Sequence, residues 1–527
     1  MRYRTVFHIL GVILLLLAPA MAIPAILGLI EGTGDALPLC ISTGLTLAAG
    51  LGLYLGTRRS LEESWLTHRD GYLATVLGWL LASLVGAVPF YLYAHLSDVD
   101  PAWTPDVAPG TPVCSLPVET LHPGREFCSI TDAVFESVSG FTTTGASVIR
   151  AGLWDGLDTP SSQGRPGLPR ALLLWRSLIQ WLGGMGILVL AVTVLGLVGV
   201  GGMHLMKAEV PGPLPGRLSP RIADTARILW RVYALVSMGE VVALLLGGMD
   251  LFNAVCHTCT TMATGGFSTL GASVGGMAPR FQWIITLFMF LAGANFTLHW
   301  AFLFRRSLGY HRDAEFRVYT FLVIGGTGLL VWSLIAAGLQ GTPEETLRHS
   351  VFQMVSILTT TGFATQDFGT WAMEAQLFLL IMMFIGGCAG STGGGMKVIR
   401  IQVTTKAAYR ELMRIAHPRS VSTVRVGHQV VKEQTVTAIL GVVSFFVATF
   451  VVSSVAMAAM GLDLVTAMSS VAACIGNIGP GLGGVGPAEN FHFVPMAGKW
   501  VLMFNMIAGR LEIYTVLILL SPHFWRR

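Results

Sequence analysis

Charged side chains are scarce. Lysine, arginine, aspartate and glutamate make up 12% of the 527 residues and hydrophobic residues 53%, whereas soluble domains carry about 25% charged residues. That deficit excludes a water-soluble globular chain. Cysteine is sparse too: seven in a chain of this length do not make a disulfide framework. Cys114 and Cys128 share the one long polar loop, and sequence leaves their pairing open. There is no HExxH metal motif and no glycine-rich phosphate loop. Cys256-His257-Thr258-Cys259 has no second ligand cluster at zinc spacing. Without convergent His, Asp, Glu or Cys groups, neither an enzyme nor an organic cofactor is expected. The net charge of +4 follows from loop positions and does not argue for nucleic acid.

Abundant instead are apolar runs of about 20 residues, the length that crosses a membrane as a helix. Ten are read, at 5–30, 36–56, 71–95, 171–200, 222–248, 281–304, 318–340, 376–400, 434–460 and 498–521. Arg2, Arg4 and Ala20-Met21-Ala22 imitate a secretory signal. The apolar run continues to Ile30, so the first span is read as a retained helix. Basic residues mark cytoplasmic loops. The segments with Arg58, Arg59 and Arg69, with Lys207, Arg217 and Arg221, with Arg305 to Arg317, and with Lys406 to Arg425 are therefore assigned inside. Ten spans with both termini cytoplasmic satisfy every assignment, and the acidic loops face out.

Four outward segments carry a short amphipathic stretch and then a glycine-centred motif: FTTTGAS (141–147), MATGGFST (262–269), LTTTGFAT (358–365) and CIGNIGPG (474–481). They align on Gly145, Gly265, Gly362 and Gly479. One such patch reads as a turn or a small-residue helix contact; four in the same topological position read as a repeated device. A cation leaving water needs its hydration oxygens replaced, and rings of backbone carbonyls do this. Irregular backbone is tolerated at membrane depth only where it is buried in protein or lines a cavity. Glycine supplies the backbone freedom and threonine a hydroxyl. The preceding short helices would aim their negative C-terminal ends at the cavity.

These residues resemble the Trk/Ktr/HKT superfamily of potassium transporters, in its TrkH branch. The resemblance rests on SGFTTTGAS, GGCAGSTGGGMKVIR and GRLEIYTVLIL and covers nearly the whole chain. It implies an all-α polytopic membrane protein with ten transmembrane helices. Four pseudo-fourfold helix-pore loop-helix units would follow an extra N-terminal helix pair: 1–66 for the pair, then 67–205, 206–310, 311–415 and 416–527. It implies potassium-binding carbonyls from Thr143, Thr144 and Gly145; Ala263, Thr264 and Gly265; Thr360, Thr361 and Gly362; and Asn477, Ile478 and Gly479. In plant relatives serine at the first glycine is associated with sodium selectivity, so Gly145 favours potassium. It also implies residence in a bacterial cytoplasmic membrane, a homodimer, and a cytosolic TrkA-like nucleotide-binding subunit near the basic stretch 401–433.

Two further features bear on control of flow. Gly386, Gly387, Gly390, Gly393, Gly394 and Gly395 fall within ten residues of one span, and each glycine costs a helix roughly 1 kcal/mol relative to alanine. Local unwinding into a mobile intramembrane loop is expected, and the resemblance places that loop beneath the filter. Arg510 lies inside the last apolar span, where an arginine costs about 2.5–3.5 kcal/mol. It is expected to face the pore and hydrogen-bond the glycine loop; pairing with a buried carboxylate such as Glu240, or with free carbonyls, is the structural alternative. Lys397 and Arg400 read as ordinary interface charges. A different class remains open, an alternating-access transporter coupled to protons or sodium, with Glu136 or Glu240 as candidate coupling groups. It predicts repeats in two halves, against the four units seen.

Overall fold

In a computed structural model the described residues are 3–57, 67–97, 111–116, 122–150, 168–186, 222–307, 309–338, 341–419, 422–427 and 429–526. Arg58, Arg59, Lys207, Arg217 and Arg221 lie outside them. So does most of the span expected at 171–200, whose described part is α5 (Arg170–Gly184).

The apolar runs form helices because lipid leaves each backbone group to be satisfied within its own segment. Among the described residues six are long and apolar enough to span: α1 (Tyr3–Glu31), α2 (Ala36–Thr57), α3 (His68–Leu96), α6 (Ile222–Leu246), α10 (Ala314–Ala336) and α14 (Glu433–Ala459). Phe445, Val447, Val451, Val452 and Val455 of α14 stay exposed, as a lipid-facing side requires. α1 and α2 cross at Gly11 and Gly50, where an added Cβ on Gly11 would come 2.8 Å from the Tyr54 nitrogen. Small residues permit that approach.

Between long helices sit short ones, α4 (Ile130–Phe141), α7 (Leu251–Met262), α11 (Pro343–Leu358) and α15 (Leu464–Ile475). Asp250, Thr342 and Asp463 cap three of them by accepting from backbone N–H groups of the first turn, satisfying donors that a helix start leaves open.

The helices that follow them differ from the continuous spans read in the sequence. The run at 281–304 is α8 (Pro279–Ala292) and α9 (Phe296–Arg305), bent by 98°. The run at 498–521 is α16 (Met496–Arg510) and α17 (Ile513–Leu520), bent by 119°. In the run at 376–400, α12 (Met373–Met382) stops and 383–397 is irregular. α13 (Val398–Ala416) then continues into the stretch read as a loop. A hydropathy window sums composition and is blind to direction, so Asn295 capping α9 through Thr297 N–H and Glu512 at φ 59° pass unnoticed. With each bent pair counted once, up to eight described spans pass by length and composition, against the ten expected.

Three of the short helices pack against a helix of another group: α7 touches α5, α11 touches α8, and α4 touches α16 from the far end of the chain. Two main cores result. One unites α1, α3, α4 and α5 with α15 and α16; the other unites α8, α10, α11 and α12.

Cys114 and Cys128 are disulfide-bonded, 14 residues apart. They hold the polar loop over α3, where Val113 N–H donates to the Ser97 carbonyl. Close by, burial alone would raise the Glu126 carboxyl, but His492 and Arg150 outweigh it and hold it below the ordinary carboxylate range. Burial pushes His122 down to about 4.

Candidate functional site

The four glycine-centred segments begin where the short helices end, and all four ends are built alike. The N–H groups of Thr144, Gly265, Thr361 and Ile478 each donate over 2.8 Å to the carbonyl five residues back, on Ser139, Thr260, Ser356 and Ala473. The residue before each has positive φ: Thr143 at 55°, Thr264 at 53°, Thr360 at 62° and Asn477 at 55°. This is the Schellman ending, whose left-handed position is normally glycine. Threonine there is strained by roughly 1–3 kcal/mol, so the surroundings hold it.

The equivalence corrects the alignment of the second segment. Gly145, Gly266, Gly362 and Gly479 have φ of 82°, 73°, 82° and 101°, each four residues past the end of its helix at Phe141, Met262, Leu358 and Ile475. Gly265 occupies the position of Thr144, so the triad is Thr264, Gly265 and Gly266, and Ala263 falls one place earlier. Two adjacent glycines made the choice ambiguous. Matching Gly266-Phe267 to Gly362-Phe363 would have resolved it. In an extended strand successive side chains and carbonyls alternate sides; alternating the sign of φ removes that alternation.

The segments close on one another. A Cβ on Gly145 would collide with the Gly265 carbonyl oxygen, on Gly266 with that of Thr361, and on Gly362 with that of Ile478. On Gly479 it would come 2.7 Å from the Thr144 oxygen. First meets second, second third, third fourth and fourth first. A cavity of about 100 Å³ is lined by all four glycines together with Ser147, Arg176, Glu489 and Phe491.

Buried side chains brace this ring, of which the sequence reading passed over Arg176 and Gln180. Glu136, a candidate coupling group by sequence, forms a buried ion pair with Arg176 at 2.6 Å. It also accepts from Ser147 Oγ at 3.0 Å and Val148 N–H at 3.1 Å. Arg176 donates onward to the Ser268 carbonyl at 3.1 Å and lies 3.5 Å over the Phe267 ring. One helical turn on, Gln180 donates to the Gly265 carbonyl at 2.7 Å and accepts from Phe267 N–H at 3.1 Å. Arg176 and Gln180 sit four residues apart on α5 and so share a face. His257 of the Cys-His-Thr-Cys stretch is buried, bonded to the Asn253 carbonyl and to Ser268 Oγ.

Behind the ring, the glycine-rich stretch packs as a loop. Gly394 N–H donates to Thr360 Oγ1 at 2.6 Å, which links the loop to the ring. Cys388 N–H donates to the Gly293 carbonyl at 2.9 Å, and Phe296 N–H to the Gly390 carbonyl at 3.0 Å. The bend between α8 and α9 frees the groups that receive the loop. Glu315, at the start of α10, takes Ala389 N–H at 2.7 Å and Ile399 N–H at 3.0 Å on one carboxylate oxygen, joining the middle of the loop to the first turn of α13.

Arg510 donates to the Thr392 carbonyl in that loop and to the Gly183 and Gly184 carbonyls at the end of α5, each at 2.6 Å. These carbonyls, rather than Glu240, receive it. Lys397 and Arg400 are buried, which overturns their reading as interface charges. Lys397 donates to the Gly393 carbonyl and Arg400 pairs with Glu512. The sequence places Glu512 beside Arg510, but the bend after Arg510 turns it toward α13. A cavity of about 70 Å³ lies among Gly390, Gly393, Gly394, Gly395, Lys397, Arg510 and Trp79. The arrangement sets a ring of backbone carbonyls in series with a carbonyl-rich loop and a guanidinium. Such a path is suited to cations and to regulating their passage.

Comparison with known proteins agrees. A family model described as "TrkH: Cation transport protein" matches residues 115–527. The "Trk system potassium uptake protein TrkH" of Escherichia coli (strain K12) is 39% identical over 532 residues, covering 100% of both chains. The "Trk system potassium uptake protein TrkG" of the same strain is 34% identical, covering 99% of each. The crystal structure of the potassium transporter TrkH from Vibrio parahaemolyticus matches with a TM-score of 0.82 at 37% identity, over 100% of both chains.

Proposed function

We propose that this chain, which belongs to the TrkH family of cation transport proteins, takes up potassium through the ring formed by its four glycine-centred segments. The family is one of transporters rather than enzymes, and the chain is a helical membrane protein. The observation that carries the reading is the closed cycle in which each segment's glycine abuts the next segment's carbonyl. Carbonyl oxygens held in that cycle replace the water around a dehydrated cation. The C-terminal ends of α4, α7, α11 and α15 add about half a negative charge each. In this reading Thr143, Thr144, Gly145, Thr264, Gly265, Gly266, Thr360, Thr361, Gly362, Asn477, Ile478 and Gly479 form the filter.

The remaining parts follow. The glycine loop and Arg510 form the gate beneath the filter. Ten spans, four related units and an N-terminal helix pair set the chain in a bacterial cytoplasmic membrane with both termini inside. It works as a homodimer on a cytosolic TrkA-like nucleotide-binding subunit, which approaches the basic α13 and its following hairpin (Arg425–Val426 with Gln429–Val430).

Rubidium-86 uptake into proteoliposomes tests the reading, with potassium and sodium as competitors and Gly145→Ser alongside. Potassium competes and sodium does not. Serine at position 145, where φ is 82° and a Cβ meets the Gly265 carbonyl, displaces that oxygen and relaxes the preference. Uptake suppressed equally by both ions, or dependent on an imposed proton or sodium gradient, rejects it.

A further inference from the structure

The four segments are not braced in the same way. In the first, the hydroxyls of Thr142 and Thr144 hydrogen-bond at 2.8 Å; in the third, those of Thr359 and Thr361 do so at 2.8 Å. The fourth has Asn477, whose Nδ2 donates to the Met506 carbonyl at 2.8 Å and to Thr144 Oγ1 at 3.0 Å. The second has Ala263 and Gly265 at the hydroxyl positions and so has neither device.

We infer that Gln180 of α5 is the positioning residue of the second segment, supplying from a neighbouring helix the side chain that Gly265 lacks and thereby setting the ion preference of the ring. The Phe267 N–H can only donate, so it fixes which end of the amide is oxygen. Nε2 then faces the Gly265 carbonyl. An added Cβ on Gly265 would collide with the Gln180 amide, so the glutamine occupies the space a threonine side chain fills in the first and third segments. Gln180 is fully buried, and no water is needed to complete these bonds. A carbonyl oxygen has two lone pairs; one accepted hydrogen bond holds the Gly265 oxygen in place and leaves the other for an ion. Gly145 abuts that same oxygen, so Gln180 acts on the boundary between the first and second segments. The φ of Gly265 is not in the left-handed region, and its bareness serves the fit of Gln180 rather than a turn.

The inference rests on the ring being a potassium filter, and the test separates the two. Rubidium uptake, with the ratio of potassium to sodium competition as readout, is measured for the parent, Gln180→Met, Gln180→Glu, Gln180→Ala and Gln180→Ala/Gly265→Thr, each checked for monodispersity. Met removes both bonds. Glu, in its ionised form, retains acceptance from Phe267 and removes donation to Gly265. The ratio is expected to fall about tenfold in either, the effect of one hydrogen bond lost from the discrimination, and the double variant is expected to recover it. If Gln180→Met does not fold, Gln180→Glu carries the comparison. Single variants as selective as the parent, or a double variant no more selective than Gln180→Ala, overturn the inference. A parent without potassium preference overturns the filter reading itself.

Discussion

A guanidinium three hydrogen bonds deep in carbonyls is held in place, not free to swing. Arg510 reaches the glycine loop with one nitrogen and the end of α5 with the other, so it ties the loop to α5 and, if the proposed path runs there, adds positive charge to it. At about 8 Å and an effective dielectric of about 20, that charge raises a potassium ion by ~2 kcal/mol. Arg510→Ala removes both the tie and the barrier. Rubidium uptake at equal expression should rise by an order of magnitude, up to about thirtyfold; unchanged uptake would mean that the charge lies off the path. The residue scale also bounds what sequence conveys. Arg510 was identified by its cost in an apolar run, because burial of charge is visible in composition. Gln180 gave no such signal, since its partners lie 85 and 87 positions away on backbone atoms that every residue possesses.

Among elements, the bent helices carry the most information. The break at Gly293-Ala294-Asn295 opens the carbonyls of Ala292 and Gly293 to the loop, and Thr392 and Cys388 use them. Glycine density announced that the third post-segment helix would unwind, because the local penalty adds up along the chain. Nothing in the sequence announced that the second would bend to receive it, because the reason lies a hundred residues downstream. Gly394 tests the fit. A Cβ there would collide with the Gly476 carbonyl oxygen and come 2.8 Å from the Asn477 Cβ. Gly394→Ala should keep the loop from seating and raise uptake, as Arg510→Ala does. Uptake reduced in Gly394→Ala would show that the seated loop shapes the path instead of closing it.

At the scale of the molecule, the segments held over α3 are tied by a disulfide, the Glu126 cluster and a buried His122. The unfolded chain takes up a proton at His122 near pH 6.5, whereas the folded protein does so only near 4. The folded state therefore binds fewer protons between those values, and stability present above about pH 6.5 is lost as pH falls toward 4, by about 3 kcal/mol. Glu126 has its folded value below the ordinary carboxylate range, so its contribution is lost only lower still. Thermal melts in detergent at pH 7.5 and 5 should show a smaller drop for His122→Gln than for the parent; an equal drop would place the sensitivity elsewhere. Long apolar helices and the four repeated segments were legible in the sequence, since both are local patterns. The order of packing around the ring was not, because it depends on which helix of one group shelters the next.

That sheltering has a consequence for how the four segments can change. Gly145 is bare for the sake of an oxygen on residue 265, Gly266 for one on 361, Gly362 for one on 478 and Gly479 for one on 144. Each segment's tolerance to substitution is therefore a property of its neighbour. Four like-built segments in one chain are not free to drift apart, because a change in one is judged at the seam with the next. The heritable unit of this ring is the boundary between segments, and a compensating change for any defect is to be sought one position around the circle.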